Sequence, residues 1–182
     1  QTLQPFDDAI FIEIFHDWIR HNTLPGVLLD VADYRHVPHA SAIILFTHDT
    51  NFAIDYAGGR FGLLAQRKRG AGLDHQERIL NLIQATAYFG TLLEADHRLA
   101  GKLQFDGGTF HYISNDRLQQ PNTAPAFSAL QADLQGVSSI IYPQQSALVT
   151  RLVNDPRERL TTIVETESLP LGELLSLAER VA

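Results

Sequence analysis

Cysteine and methionine are both absent from this 182-residue chain, and tryptophan occurs once. Without a thiol there is no disulfide framework, no thiolate nucleophile and no Cys-ligated zinc site. Long apolar runs are also lacking. The longest, 9–12 and 43–46, fall far short of the ~20 residues that cross a bilayer. The N-terminal stretch has no basic segment followed by an apolar run and a small-residue cleavage site, so no secretory signal is read there. Basic residues are outnumbered, 14 against 21 acidic, for a formal charge of −7, and the one dense basic cluster is Arg67-Lys68-Arg69. Nucleic-acid binding depends on neutralising phosphates, so this balance argues against it. Gly70-Ala71-Gly72 lacks the third glycine and the preceding parallel strand of a dinucleotide motif, no Walker-type sequence occurs, and no Gly-x-Ser-x-Gly elbow is present. No cofactor is expected on these grounds, with a divalent metal the one open case.

What is present reads as one α+β domain spanning 1–182. Phe6, Ile10, Ile14, Phe15, Trp18 and Ile19 recur at helical steps and predict a helix over 6–21 that stops at Leu24-Pro25-Gly26. Val27 to Asp33 and Ser41 to Thr47 predict strands, the second apolar on both faces and therefore interior. Alternation over 51–56 and 61–65, with turns at Asp49-Thr50-Asn51 and Gly58-Gly59, makes 41–67 a three-stranded antiparallel meander closed by the loop 70–72. Leu73 to Leu99 predicts a long helix, opened by the capping pair Asp74 and Glu77. Hairpins are expected from 102–105 with 109–114 around Asp106-Gly107-Gly108, and from 147–153 with 160–166 around Asn154-Asp155-Pro156. Pro121 to Pro125 reads as a loop, 127–141 as a helix weakened by Gly136, and 168–181 as a closing helix. Hairpins grouped between about four helices fit an antiparallel α+β layer fold better than alternating βαβ units.

The segment Asp30-Val31-Ala32-Asp33-Tyr34-Arg35-His36-Val37, the stretch Gly59-Arg60-Phe61-Gly62-Leu63-Leu64 before Arg67-Lys68, and Asn115-Asp116-Arg117-Leu118 with Pro121-Asn122-Thr123 resemble a bacterial family to which no activity is attached. The resemblance runs over about residues 10 to 166 and implies a bacterial, cytoplasmic protein. Function must come from sites.

Asp30, Asp33, His36, His39, His48 and Asp49 carry the ligand types of zinc, manganese and non-haem iron. Were 40–47 a strand, His39 and His48 would stand roughly 30 Å apart at ~3.3 Å per residue, too far to share one ion. That leaves Asp33, His36 and His39 as the candidate metal set, with a solvated loop in which Asp30 or Asp33 pairs with Arg60 as the plainer reading. At the other end of the sheet, His48 with Arg67 and Lys68 is a candidate contact for an anion, against which the carboxylates of Asp74 and Glu77 weigh. Asp116 and Arg117 are candidate partner contacts in a polar loop, or simple caps of the next helix. The carboxylate pairs Asp7-Asp8 and Glu165 with Glu167 read as solvated faces.

Three functions fit these residues. The leading one is a non-catalytic accessory or protein-binding module, working with another chain or as a homodimer and showing an exposed apolar patch or an unpaired sheet edge. The alternative is a metal-dependent hydrolase using Asp33, His36 and His39, and a sensor of small anionic ligands is the third.

Overall fold

Residues 7–37, 43–56, 59–68, 72–99 and 101–180 are described by a computed structural model. Helix α1 (Ala9–His21) forms because Phe11, Ile14, Phe15 and Trp18 fall at helical spacing and are all buried. It ends at His21, as the sequence indicates. Asn22 takes the left-handed conformation at φ 49°, which an asparagine tolerates, and the Thr23 N–H donates back to the Trp18 carbonyl at 3.0 Å.

Strands β1 (Leu28–Asp33), β2 (Ile43–Thr47), β3 (Thr50–Asp55) and β4 (Gly62–Arg67) form a four-stranded antiparallel meander in chain order. The three-stranded meander of the sequence reading thus gains β1 as an edge. A register shift between Leu28 and Asp30 bends that edge, and the Asp30 carboxylate accepts from the Val31 N–H at 2.8 Å. Helix α2 (His75–Ala95) opens with the reciprocal cap expected of it: the Glu77 N–H donates to Asp74 Oδ1 at 2.8 Å and the Asp74 N–H to Glu77 Oε2 at 3.0 Å. The predicted strand start at Ser41, the loop residues Gly70 and Ala71, and His39 lie outside the described residues.

Of the hairpin expected after α2, only Thr109–Ile113 is a strand, β5; residues 102–105 are not. Leu103 and Phe105 instead pack on an apolar core, and the Phe105 N–H donates to Glu94 Oε1 at 2.6 Å. The Asp106-Gly107-Gly108 turn serves a different approach. A Cβ on Gly108 would lie 2.3 Å from the Glu167 carbonyl oxygen, so glycine there lets the chain lie against 166–170, where Asp106 bridges to Pro170. Helix α3 (Ala124–Ile141) begins earlier than the periodicity indicates, because Thr123 caps it through the Ala126 N–H and Pro125 suits its first turn. Strands β6 (Leu148–Arg151) and β7 (Thr161–Glu165) form the expected last hairpin, and helix α4 (Leu171–Glu179) follows. β7 is the centre of a three-stranded antiparallel sheet ordered β5-β7-β6.

The α+β class therefore holds, built from two antiparallel sheets and four helices among the described residues. Residue contacts divide the chain into two compact units: Gln1–Gly72 with Leu82–Phe105, and Leu73–Asn81 with Asp106–Ala182. The first unit's core is aromatic. Phe89 meets Phe15, Trp18 and Phe52 at ring-centroid distances of 5.5, 5.5 and 4.8 Å. The second unit's core is aliphatic, with Leu130, Leu134, Val137 and Ile141 of α3 all buried alongside Val149 and Val164. No described helix is long and apolar enough to cross a membrane.

Candidate functional site

The three-stranded sheet of the second unit has two unlike faces. Directly paired residues on neighbouring strands point their side chains to the same side. Phe110, Val164 and Val149 form one rung, and Tyr112, Thr162 and Arg151 the next, on the face where α3 lies and where Gln131 of α3 reaches the Val149 carbonyl at 3.3 Å. The opposite face holds the rungs His111-Ile163-Thr150 and Thr109-Glu165-Leu148, with Ile113 beside Thr161. Leu152 extends β6 by donating its N–H to the Thr161 carbonyl at 2.9 Å. On this second face Leu148 is 60% exposed and Leu152 41%, while Ile113 and Ile163 are half-buried. Val153 just beyond is 83% exposed.

On the α3 face three polar side chains meet. His75, the first residue of α2, places Nδ1 2.6 Å from Asp133 Oδ2 of α3 and Nε2 3.1 Å from the Tyr112 hydroxyl of β5. An ionised carboxylate only accepts, so Nδ1 carries the hydrogen, and in the neutral imidazole the Nε2 lone pair then accepts the phenol proton. Gln76 donates to the other Asp133 oxygen at 3.3 Å. Its amide occupies the notch left by Gly136, where a Cβ would stand 2.8 Å from Gln76 Oε1. The glycine that weakens α3 by propensity is what admits this contact. Burial pushes the Tyr112 phenol's pKa up, the Arg78 guanidinium pulls it down and Asp133 adds to the rise. The Thr162 hydroxyl in the same rung is fully buried and has no hydrogen-bond partner among the described residues.

At one end of this sheet, Asn122 fastens the loop after β5 to β6 and its turn. It is almost fully buried, accepts from Arg151 Nε and Nη2 at 3.1 and 2.9 Å, and donates to Asn154 at 2.6 Å. The loop so held carries Asp116 and Arg117. Asp116 Oδ1 accepts the Leu118 and Gln119 N–H groups at 3.0 and 2.9 Å, so it caps its own loop, and Leu118 beside it is 95% exposed.

The other sequence candidates sit in the first unit. Asp33 is held by Arg35, with Nε 2.9 Å from Oδ1 and Nη2 2.7 Å from Oδ2, and the partner expected for it, Arg60, is displaced by this neighbour two residues on. The guanidinium holds the Asp33 carboxyl at about 2, well below the usual carboxylate value. A metal ion would have to displace Arg35 from both oxygens. His36 is exposed and stacks on Tyr34 with centroids 6.5 Å apart, and His39 lies outside the described residues. No group of three His, Asp or Glu side chains that could hold a metal ion occurs among the described residues.

The register pairs Thr50 with Arg67, which brings His48, Asp49, Arg67 and Lys68 to one end of the meander as the sequence indicates. There His48 Nδ1 meets Asp49 at 2.9 Å, and Lys68 donates to the Thr47 carbonyl and lies 5.7 Å from the Phe46 ring centroid. Lys68 is thus already engaged by its own unit.

Sequence reading missed Tyr112, His75 and Asp133 altogether, since 37 residues separate His75 from Tyr112 and 58 separate it from Asp133. The available signal was Gly136, one helical step past Asp133 in an otherwise regular helix. No family model, no curated protein and no solved structure matches this chain.

Proposed function

We propose that this chain is a protein-binding module of the bacterial cytoplasm, that its docking surface is the exposed face of the three-stranded sheet, and that a second copy of the chain occupies it. The observation that carries this reading is the exposure of Leu148 and Leu152 beside Ile113 and Ile163 on one sheet face. Glu165 is the one formally charged residue among those described on that face, and depletion of charge marks the centre of protein interfaces. The face is also self-complementary. About a two-fold axis running along β7, β5 of one copy stands over β6 of the other, so Ile113 meets Leu152 in both directions, as an isologous contact requires. Sheets stack face to face at about 10 Å with such side chains between them. Side-chain burial rather than strand addition is the favoured mode. The β1 edge is bent and its Val31 N–H already taken by Asp30, and β6 is only four residues long with Gln131 on its Val149 carbonyl.

Size-exclusion chromatography with light scattering tests this. The wild-type chain is expected to run as a dimer, and the double substitution Leu148→Asp, Leu152→Asp to run as a monomer with unchanged circular dichroism. A monomeric wild type, or a dimer that survives both aspartates, removes the reading.

A further inference from the structure

We propose that Tyr112, His75 and Asp133 form a nucleophilic site for activated carboxylic esters, on the α3 face of the same sheet whose opposite face docks a second copy. The geometry matches what an activated nucleophile needs: a hydroxyl within hydrogen-bond reach of a base, and a third group orienting that base. Tyr112 to His75 Nε2 is 3.1 Å and His75 Nδ1 to Asp133 is 2.6 Å. The carboxylate fixes the tautomer that leaves Nε2 free to take the phenol proton. Gln76 holds Asp133 from its far oxygen, its amide lying against Gly136, so the orienting group is itself positioned. The side chains of His75 and Asp133 are 22% and 31% exposed and Tyr112 is half-buried. Arg78, one turn along α2 from His75, supplies positive charge felt at the phenol, which favours passage of its proton to His75.

In the reaction the phenol oxygen forms a bond to the ester carbonyl carbon while its proton passes to His75 Nε2. The bond from that carbon to the leaving oxygen then breaks, and the imidazolium, held by Asp133, returns the proton to the departing oxyanion. The products are an O-acyl tyrosine and an alcohol, and no external oxidant or reductant enters.

p-Nitrophenyl acetate is the probe, read by intact mass, by peptide mapping and by the release of p-nitrophenol. One acetyl group per chain on Tyr112 at neutral pH is expected, where an unassisted phenol whose acidity burial has lowered does not react. Tyr112→Phe removes that label. His75→Ala slows it on the order of 10²-fold, the usual contribution of a general base, and added imidazole restores most of the rate. Asp133→Asn also slows labelling while leaving the label on Tyr112. Circular dichroism and thermal melting establish that each variant folds. Should His75→Ala not fold, His75→Asn replaces it, because its amide still reaches Asp133. Acetylation spread over lysines without preference for Tyr112, a wild-type labelling rate in the folded His75 variant, or a loss that imidazole does not rescue in folded His75→Ala overturns the proposal and leaves the cluster a structural link between α2, α3 and β5.

Discussion

The two units of this chain bury different chemistry. In the first, α1, the four-stranded meander and the later part of α2 close on packed rings, with Phe15, Trp18, Phe52 and Phe89 in mutual contact. In the second, five of the six buried polar residues recorded among the described positions appear, namely Ser114, Asn122, Ser138, Thr161 and Thr162, against Thr47 alone in the first. An aromatic core is stabilised by area and ring geometry. A core laced with hydroxyls and amides is less well stabilised per residue, because each buried polar group costs free energy unless it is bonded. The second unit keeps that burden, and it also carries the exposed sheet face and the Tyr112, His75 and Asp133 cluster. Both surfaces proposed above therefore lie in the second unit.

The largest expected effect tests the aromatic half of that contrast. Phe89→Ala removes the ring that Phe15, Trp18 and Phe52 all touch, and a cavity of that kind costs about 4 kcal/mol. Urea unfolding followed by Trp18 fluorescence measures it. A loss below about 1 kcal/mol would mean the aromatic cluster repacks freely, and the contrast between the two cores would fail.

A smaller effect comes from the ion pairs that tie α1 of the first unit to the turn after α2. Arg98 donates to Asp17 at 2.7 Å and to Asp96 at 2.8 Å, and the Asp96 side chain is almost buried. Arg98→Ala leaves that carboxylate without its partner, which costs about 2 kcal/mol once the partial exposure of Arg98 and Asp17 is allowed for. The pH dependence has a definite sign. Hydrogen bonds from Arg98 hold the carboxyls of Asp96 and Asp17 below their usual value of 3.8. Groups with depressed folded values contribute stability that is present above 3.8 and is lost as the pH falls through the folded value. Urea midpoints of wild type and Arg98→Ala are therefore expected to differ at neutral pH and to converge in acid. A constant gap would show that the guanidinium acts through packing instead.

Local signals made much of the first unit legible. The helical stripe of α1, the strand β3 and, in the second unit, the Asp74 and Glu77 cap each arise from residues within one or two turns of each other, and each forms as the sequence indicates, although β3 buries Ala53 as well as Phe52 and Ile54. The errors occur where two distant segments compete. Residues 102–105 lose their hairpin because Phe105 has a core to enter and β7 offers β5 a full register of five pairs. Asp33 is a separate and local case: Arg35 two residues away takes both of the oxygens that the sequence offers to a metal ion or to Arg60. The nucleophilic cluster was invisible because its three members come from three elements that only folding brings together, whereas Asp33, His36 and His39 attract notice by being close in sequence.

The smallest expected effect sharpens the polar half of the contrast. Thr162 is fully buried at the centre of the second unit's sheet, paired with Tyr112 on one side and Arg151 on the other, and its hydroxyl has no partner among the described residues. Tyr112 turns its own hydroxyl to His75, and Arg151 turns its guanidinium to Asn122, so neither neighbour serves it. A buried hydroxyl in that position carries its desolvation cost with nothing to offset it. Thr162→Val keeps the branched shape and removes the cost, so a gain of about 1 kcal/mol in urea unfolding is expected. The same variant separates two explanations for why the hydroxyl is there. If acetylation of Tyr112 is unchanged, Thr162 is a tolerated defect of the polar core; if labelling falls while stability rises, the hydroxyl serves the reacting phenol and the unit has given up stability at its site.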